Sequence, residues 1–177
     1  MYVDEIRVQL AENRPQKQVQ ERLREYMLTE RSASMNPISF LSLASKTAKA
    51  YESFCRPVCK KHRINQTCLD VILFLANNPE YNTARDLCEL RGIRSGNASV
   101  AIDTLAGRGL LTRQADPNDR RITRLVLMPE AEPIVADGRE IQQQFGNRLV
   151  QGISAHELQI CADTILKLGA NISDMLS

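Results

Sequence analysis

A chain of 177 residues with 43% apolar side chains can bury one large core, or a smaller core with extensions. Aromatic residues make up only 5% and Trp is absent, which disfavours a β-sandwich and favours helices packed through aliphatic side chains. The net charge of +2 conceals two opposed regions. Residues 91–128 hold seven Arg against three Asp, whereas residues 129–177 hold seven acids against three bases. No stretch approaches the roughly 20 apolar residues that a membrane span needs. Five Cys, an odd number, with no signal-peptide pattern ahead of them, predict free thiols in a reducing cytoplasm.

In chain order, residues 1–36 form an N-terminal helical extension. Val3, Ile6 and Leu10 sit at helical spacing, as do Val19, Leu23 and Tyr26, and Pro15 separates two helices. The segment either wraps around a partner subunit or forms an arm. Residues 32–37 read as a linker. A long helix follows, which assigns residues 37–64 to a first dimerisation helix. Phe40, Leu41, Ala44, Ala48, Tyr51 and Phe54 form its stripe, and Pro57 is expected to kink or end it.

Residues 65–128 have the order helix, turn, helix, hairpin. Asn65 caps a helix over residues 66–77 that buries Leu69, Ile72, Leu73 and Leu75. Thr83-Ala-Arg-Asp86 resembles a capping box and opens a short helix burying Leu87 and Leu90. Gly92 turns the chain into a helix over residues 95–108. There Ala98, Ala101, Ile102 and Leu105 follow the i, i+3, i+4, i+7 pattern of one buried face. Its other face carries Ser95, Asn97, Ser99, Val100, Asp103 and Thr104. These are small and mostly uncharged, where an ordinary solvated face would be rich in Glu and Lys. Gly107 and Gly109 suit the helix end. Residues 110–114 and 122–128 alternate as strands around a turn, Asp116-Pro-Asn-Asp-Arg-Arg121. The fold class is therefore mainly α with a small β-hairpin wing: a winged helix-turn-helix plus a helical dimerisation region.

Residues 129–177 supply two C-terminal dimerisation helices. Pro129 fits the first turn of one, which runs to about Val150 with bends expected near Gly138 and Gly146. Gly152 ends it, and Ser154-Ala-His-Glu157 is a capping box for the last. In the last helix Leu158, Cys161, Ile165, Leu168 and Ile172 step 3, 4, 3, 4. Such seams exceed what a small winged domain can cover, so a homodimer is expected. Its two-fold axis implies a palindromic operator with half-sites about one turn, roughly 34 Å, apart.

Ser95, Gly96, Asn97, Ser99 and Val100 are the major-groove candidates. Asn pairs bidentately with adenine, Ser is adaptable, Gly lets the backbone approach, and Val can touch a thymine methyl. Thr83, Arg85 and Arg94 are placed against the DNA backbone; alternatively Ser95 caps the reader helix in place of Arg94. Cys55 and Cys59, at i and i+4, are candidate redox thiols, although buried structural thiols are the plainer reading. A Cys-Cys-His set with His62 is conceivable, but nothing in the sequence calls for a metal or cofactor. There is no Gly-rich phosphate loop, no Gly-x-Ser-x-Gly and no His-Glu-x-x-His, so an enzyme is not expected.

The same residues resemble the DNA-binding core of the MarR family, the multiple antibiotic resistance regulators. The resemblance rests on Arg108-Gly109-Leu110, the wing motif Asp116-Pro117-Asn118-Asp119-Arg120-Arg121 and Leu127-Met128-Pro129-Glu130, where Met-Pro replaces the family's Thr. Val100 and Arg94 also depart from the usual pattern, which has a basic residue and an N-cap Ser or Asp at these places. The resemblance implies a transcription regulator, by family habit a repressor, bound to double-stranded DNA as a homodimer and released by a small-molecule effector. It places Arg120 or Arg121 in the minor groove and the other against Asp116 or Asp119, which shape the wing. Two alternatives remain open: a thiol-switched regulator using Cys55 or Cys59, and a winged helix that serves only as a protein-interaction module.

Overall fold

The chain was analysed as a computed structural model, which describes Glu21 and residues 37–176. The reading of residues 1–36 as an extension with two helices lies outside the described residues, apart from Glu21, which is helical. The chain divides between Lys49 and Ala50 into two units. The elements are α1 (Pro37–His62), α2 (Gln66–Asn77), α3 (Ala84–Glu89), α4 (Ser95–Gly107), β1 (Leu111–Ala115), β2 (Thr123–Leu127), a 3-10 turn (Pro129–Ala131), α5 (Glu132–Leu149) and α6 (Ala155–Leu176).

In the second unit the core forms around α2. Asn65 accepts a hydrogen bond from the Cys68 N–H at 2.8 Å, which fixes the start of this helix. Cys68, Leu69, Val71, Ile72, Leu73 and Leu75 are all buried, so α2 is covered on several sides and not along one stripe. It packs against α4, α5 and β2. Each such side chain contributes about 1.5–3 kcal/mol by leaving water. Val71 and Cys68 join the core beyond the stripe expected from periodicity.

Helix α1 continues through Pro57 to His62, with Cys55 and Val58 on either side of the proline buried, so the proline does not end it. One expectation about local structure is corrected. Leu90 is 57% exposed and not in the core. Helix α3 stops at Glu89, the chain turns through Gly92 at φ +74°, and Ile93 takes the packing position instead, its N–H donating to the Leu87 carbonyl at 3.1 Å.

The hairpin pairs antiparallel with Leu111 opposite Leu127 and Ala115 opposite Thr123. The Leu125 N–H donates to the Asn82 carbonyl at 2.7 Å, which fastens β2 to the segment just ahead of α3. After β2 the proline-led turn is 3-10 and α5 follows as a single assigned helix through Gly138 and Gly146. Gly138 is required by contact: a Cβ there would lie 2.6 Å from Cδ2 of Leu73, which is itself 2% exposed. Gly138→Ala is expected to destabilise the protein by about 1–2 kcal/mol in urea melts, since overpacking costs about 1–3 kcal/mol and the helix-propensity gain returns at most about 1. A variant as stable as the parent would show that Leu73 can move aside freely.

Helix α6 opens with the expected capping box: Glu157 accepts from the Ser154 N–H at 2.9 Å and the Glu157 N–H donates to Ser154 Oγ at 3.3 Å. No residue of this helix is buried. Leu158 and Leu168 are half-buried, while Ile165 and Ile172 are 58% and 46% exposed. Among the described residues, no helix is long and apolar enough to cross a membrane.

Candidate nucleic-acid interface

Helix α4 buries the four residues its periodicity singles out, Ala98, Ala101, Ile102 and Leu105. That fixes the direction of the opposite face. Ser95, Gly96, Asn97, Ser99 and Val100 are all exposed there, Val100 at 64%. Asn97 makes no side-chain hydrogen bond among the described residues, so its amide is free to pair with a base edge. Ser99 donates to the Ser95 carbonyl at 3.1 Å and Thr104 to the Val100 carbonyl at 2.7 Å, leaving their oxygens as acceptors. A Cβ on Gly96 would meet nothing within 4 Å, so the position is an open edge.

The start of α4 differs from one alternative. Arg94 and not Ser95 occupies the N-cap, and no side chain caps the helix. The Arg94 carbonyl accepts from Ala98 at 2.9 Å. The first-turn N–H groups therefore face outward without a capping side chain, beside an exposed guanidinium. Such an end suits a phosphate. Thr83 and Arg85 are engaged within the chain. Thr83 exchanges both capping-box bonds with Asp86, at 2.8 and 3.2 Å, and donates its hydroxyl to the same carboxylate at 2.7 Å. Arg85 pairs with Glu89 at 2.7 Å on an exposed face.

The wing is built by a carboxylate. Asp116, 7% exposed, accepts from the Asn118 and Asp119 N–H groups at 2.8 and 3.1 Å through one oxygen. Its other oxygen accepts from Arg124 Nε at 2.7 Å. Two backbone donors and a guanidinium hold its carboxyl below the usual carboxylate range. Arg124 also donates to Asn82 Oδ1 at 2.9 Å, so one side chain joins the wing to the loop before α3. Asp119 accepts from the Arg121 N–H at 2.9 Å.

The expected pairing of Arg120 or Arg121 with Asp116 or Asp119 is thus replaced by Arg124. Its register places it diagonally from Asp116 on the same face of the hairpin. Neither Arg120 nor Arg121 forms an ion pair among the described residues, and both are exposed. Both cations at the tip are available. Arg113 on β1 meets Asp103 on α4 at 2.5 Å, which links the wing to the reader helix and has no signature in the sequence pattern.

The thiols lie elsewhere. Cys55 and Cys68 are fully buried and Cys59 half-buried. Burial pushes the Cys55 and Cys68 thiols up, and Cys59 up to about 11. A thiol held protonated is a poor nucleophile towards peroxide. Among the described residues, no group of three His, Cys, Asp or Glu is placed to hold a metal ion. Of the two His, His156 is exposed, while His62 Nε2 lies 2.6 Å from Asp137.

A cavity of about 130 Å³ opens in the second unit, lined by Tyr51, Asp70, Asn77, Arg91 and Gln142 among others. Arg91 pairs with Asp70 at 3.1 Å. Burial nevertheless raises the Asp70 carboxyl and pushes the Tyr51 hydroxyl up to about 12.

Residues 64–122 match the model of the MarR family. The fold resembles many solved structures. Transcriptional regulator PA3341 is 28% identical, with a TM-score of 0.69 over 76% of this chain and 98% of that one. A MarR family transcriptional regulator of Listeria monocytogenes, solved with a 26mer DNA, is 16% identical, with a TM-score of 0.67 over 80% and 91%. CouR from Rhodococcus jostii RHA1, bound to p-coumaroyl-CoA, is 20% identical, with a TM-score of 0.62 over 77% and 95%. The last two carry the fold alone.

Proposed function

We propose that this chain, whose residues 64–122 match the MarR family model, is a DNA-binding transcription regulator. The observation that carries the reading is the pairing of two exposed elements on one rigid core: the small polar face of α4, with Asn97 unengaged, and a wing tip whose Arg120 and Arg121 are both free of ion pairs. The first can hydrogen-bond base edges in a major groove, and the second can reach phosphates or a minor groove. Of the seven Arg in residues 91–128, Arg91, Arg108, Arg113 and Arg124 are engaged within the chain, and an interaction module without DNA binding gives no reason for the exposed Arg94, Arg120 and Arg121.

The reading extends to a cytoplasmic homodimer on a palindromic operator, with residues 37–64 and 129–177 as the dimerisation helices. The exposed apolar stripe of α6 supports it, since Ile165 and Ile172 stay 58% and 46% exposed among the described residues. Cys161 lies on that stripe and is exposed. Labelling of Cys161 by a thiol reagent is expected to slow as protein concentration rises through the dimerisation range; a concentration-independent rate would remove the α6 interface. The polar cavity beside Arg91 is the place proposed for a small effector that shifts the dimer between DNA-compatible and incompatible arrangements. One relative was solved with DNA and another with an acyl-CoA, so the fold can hold both kinds of partner. Repression is the sign of regulation proposed.

The test is selection of bound duplexes from a genomic library, followed by titration at fixed salt. Enrichment of an inverted repeat by a dimeric protein is expected. A monomer, or a protein that enriches no sequence, would sink the reading.

A further inference from the structure

Two helix ends meet in the second unit, and one side chain holds both. At the end of α1, Arg63 takes a left-handed conformation at φ +52°, its N–H donates to the Lys60 carbonyl at 3.3 Å, and the Ile64 N–H reaches back to the Cys59 carbonyl at 3.0 Å. The end of α4 repeats the arrangement. Gly109 is at φ +67°, its N–H donates to Ala106 at 3.0 Å, and the Leu110 N–H reaches back to Leu105 at 3.0 Å. Each turn closes on itself, and in α1 it leaves the His62 and Arg63 carbonyls pointing away from the helix. Arg108, the C-cap residue just past α4, fills that gap: Nη1 donates to the Arg63 carbonyl at 2.9 Å and Nη2 to the His62 carbonyl at 3.0 Å. A planar cation bridging two main-chain carbonyls is a directional clamp, and it sits where both helix dipoles are negative. The same α1 turn is tied to α5, since Lys61 and His62 both contact Asp137, at 2.7 and 2.6 Å.

We propose that Arg108 is a positioning residue for DNA recognition: it locks the far end of the reader helix α4 to the end of α1, and so sets the angle at which Ser95–Val100 enter the groove. The proposal rests on the regulator reading given above. Its leverage is geometric. From Arg108 to Ser95 is about 20 Å at 1.5 Å per residue, so a tilt of about 5° at the clamp moves the reading face by about 1.5 Å. That is enough to break a base-edge hydrogen bond. Because the turn also holds α5 through Asp137, a shift of α1 or α5 would reach the reader helix through this one guanidinium.

The experiment compares the full-length protein with Arg108→Ala and Arg108→Lys. The readouts are titration of a selected duplex and a random duplex over a salt series, and hydrogen exchange without DNA. For Arg108→Ala, affinity for the selected duplex is expected to fall about three- to thirtyfold, with random-duplex affinity and its salt slope unchanged. Exchange is expected to rise together in residues 60–64 and 105–111. Arg108→Lys, which keeps the charge but loses the planar fork, is expected to lose part of the discrimination, and it decides the matter if the Ala variant fails to fold. Equal losses on both duplexes with a salt slope shallower by about one would mean that Arg108 contacts a phosphate, and would overturn the proposal. Unchanged discrimination in both variants, or exchange unaltered at residues 60–64, would overturn it too. If the parent protein itself shows no sequence preference, the regulator reading falls, and the exchange measurement alone judges the clamp.

Discussion

Replacing Asn97, Arg120 and Arg121 together with Ala is expected to weaken binding to the selected duplex by at least about a hundredfold. Each groove contact is worth on the order of 1–3 kcal/mol, and tenfold in affinity is about 1.4 kcal/mol. Asn97 is uncharged and unengaged within the chain, so its loss should fall on sequence discrimination and leave random-duplex binding nearly as it was. The two arginines are exposed and unpaired among the described residues, so their removal leaves no buried carboxylate without a partner. Asp116 keeps its partner, Arg124. The fold should therefore survive, and a thermal melt within a few degrees of the parent checks this. Titration at fixed salt reads the effect; a loss of less than about fivefold would place DNA on another surface.

Leu105→Ala is the substitution expected to cost most in stability, about 2–5 kcal/mol. Leu105 is fully buried, belongs to the core cluster of the second unit and sits on the face of α4 that packs towards α2 and β1. Its carbonyl also closes the turn at the end of α4. Against a typical total of about 5–15 kcal/mol, such a loss would lower the melting temperature by roughly 4–20 °C at about 2–4 °C per kcal/mol for a chain of this size. Leu90→Ala is the matched control. At 57% exposure it should change stability by about 0.5 kcal/mol or less. Equal effects from the two would mean that α4 is not seated as described.

Periodicity made α2, α4 and the capping boxes legible, because each rests on local rules: Asn65 bonds three residues ahead, and Ser154 and Glu157 bond each other. Leu90 misled because helical spacing says which residues share a face, not where a helix stops. The stop came from Gly92 and from Ile93 competing for the same space. Pro57, expected to kink or end α1, does not end it, with buried side chains on both sides. In the candidate site, the exposed reading face was visible from its small polar composition. The Arg124–Asp116–Asn82 network was not, since Asn82 and Arg124 are 42 positions apart and meet only where β2 is fastened to the loop before α3 through the Leu125–Asn82 backbone bond. Arg108 was seen only as part of a motif; its partners are main-chain carbonyls 45 and 46 positions away, which no side-chain pattern encodes.

Among the described residues, none of the 22 residues of α6 is fully buried. In proteins most of a helix's stability comes from packing its apolar face against other elements, so in the proposed homodimer much of the order of α6 is lent by a second copy. Resistance to proteolysis and melting temperature would then both climb with abundance. Freshly made chains in a sparse population would be trimmed at the C-terminus before they paired, giving such a regulator a threshold level below which it does not persist.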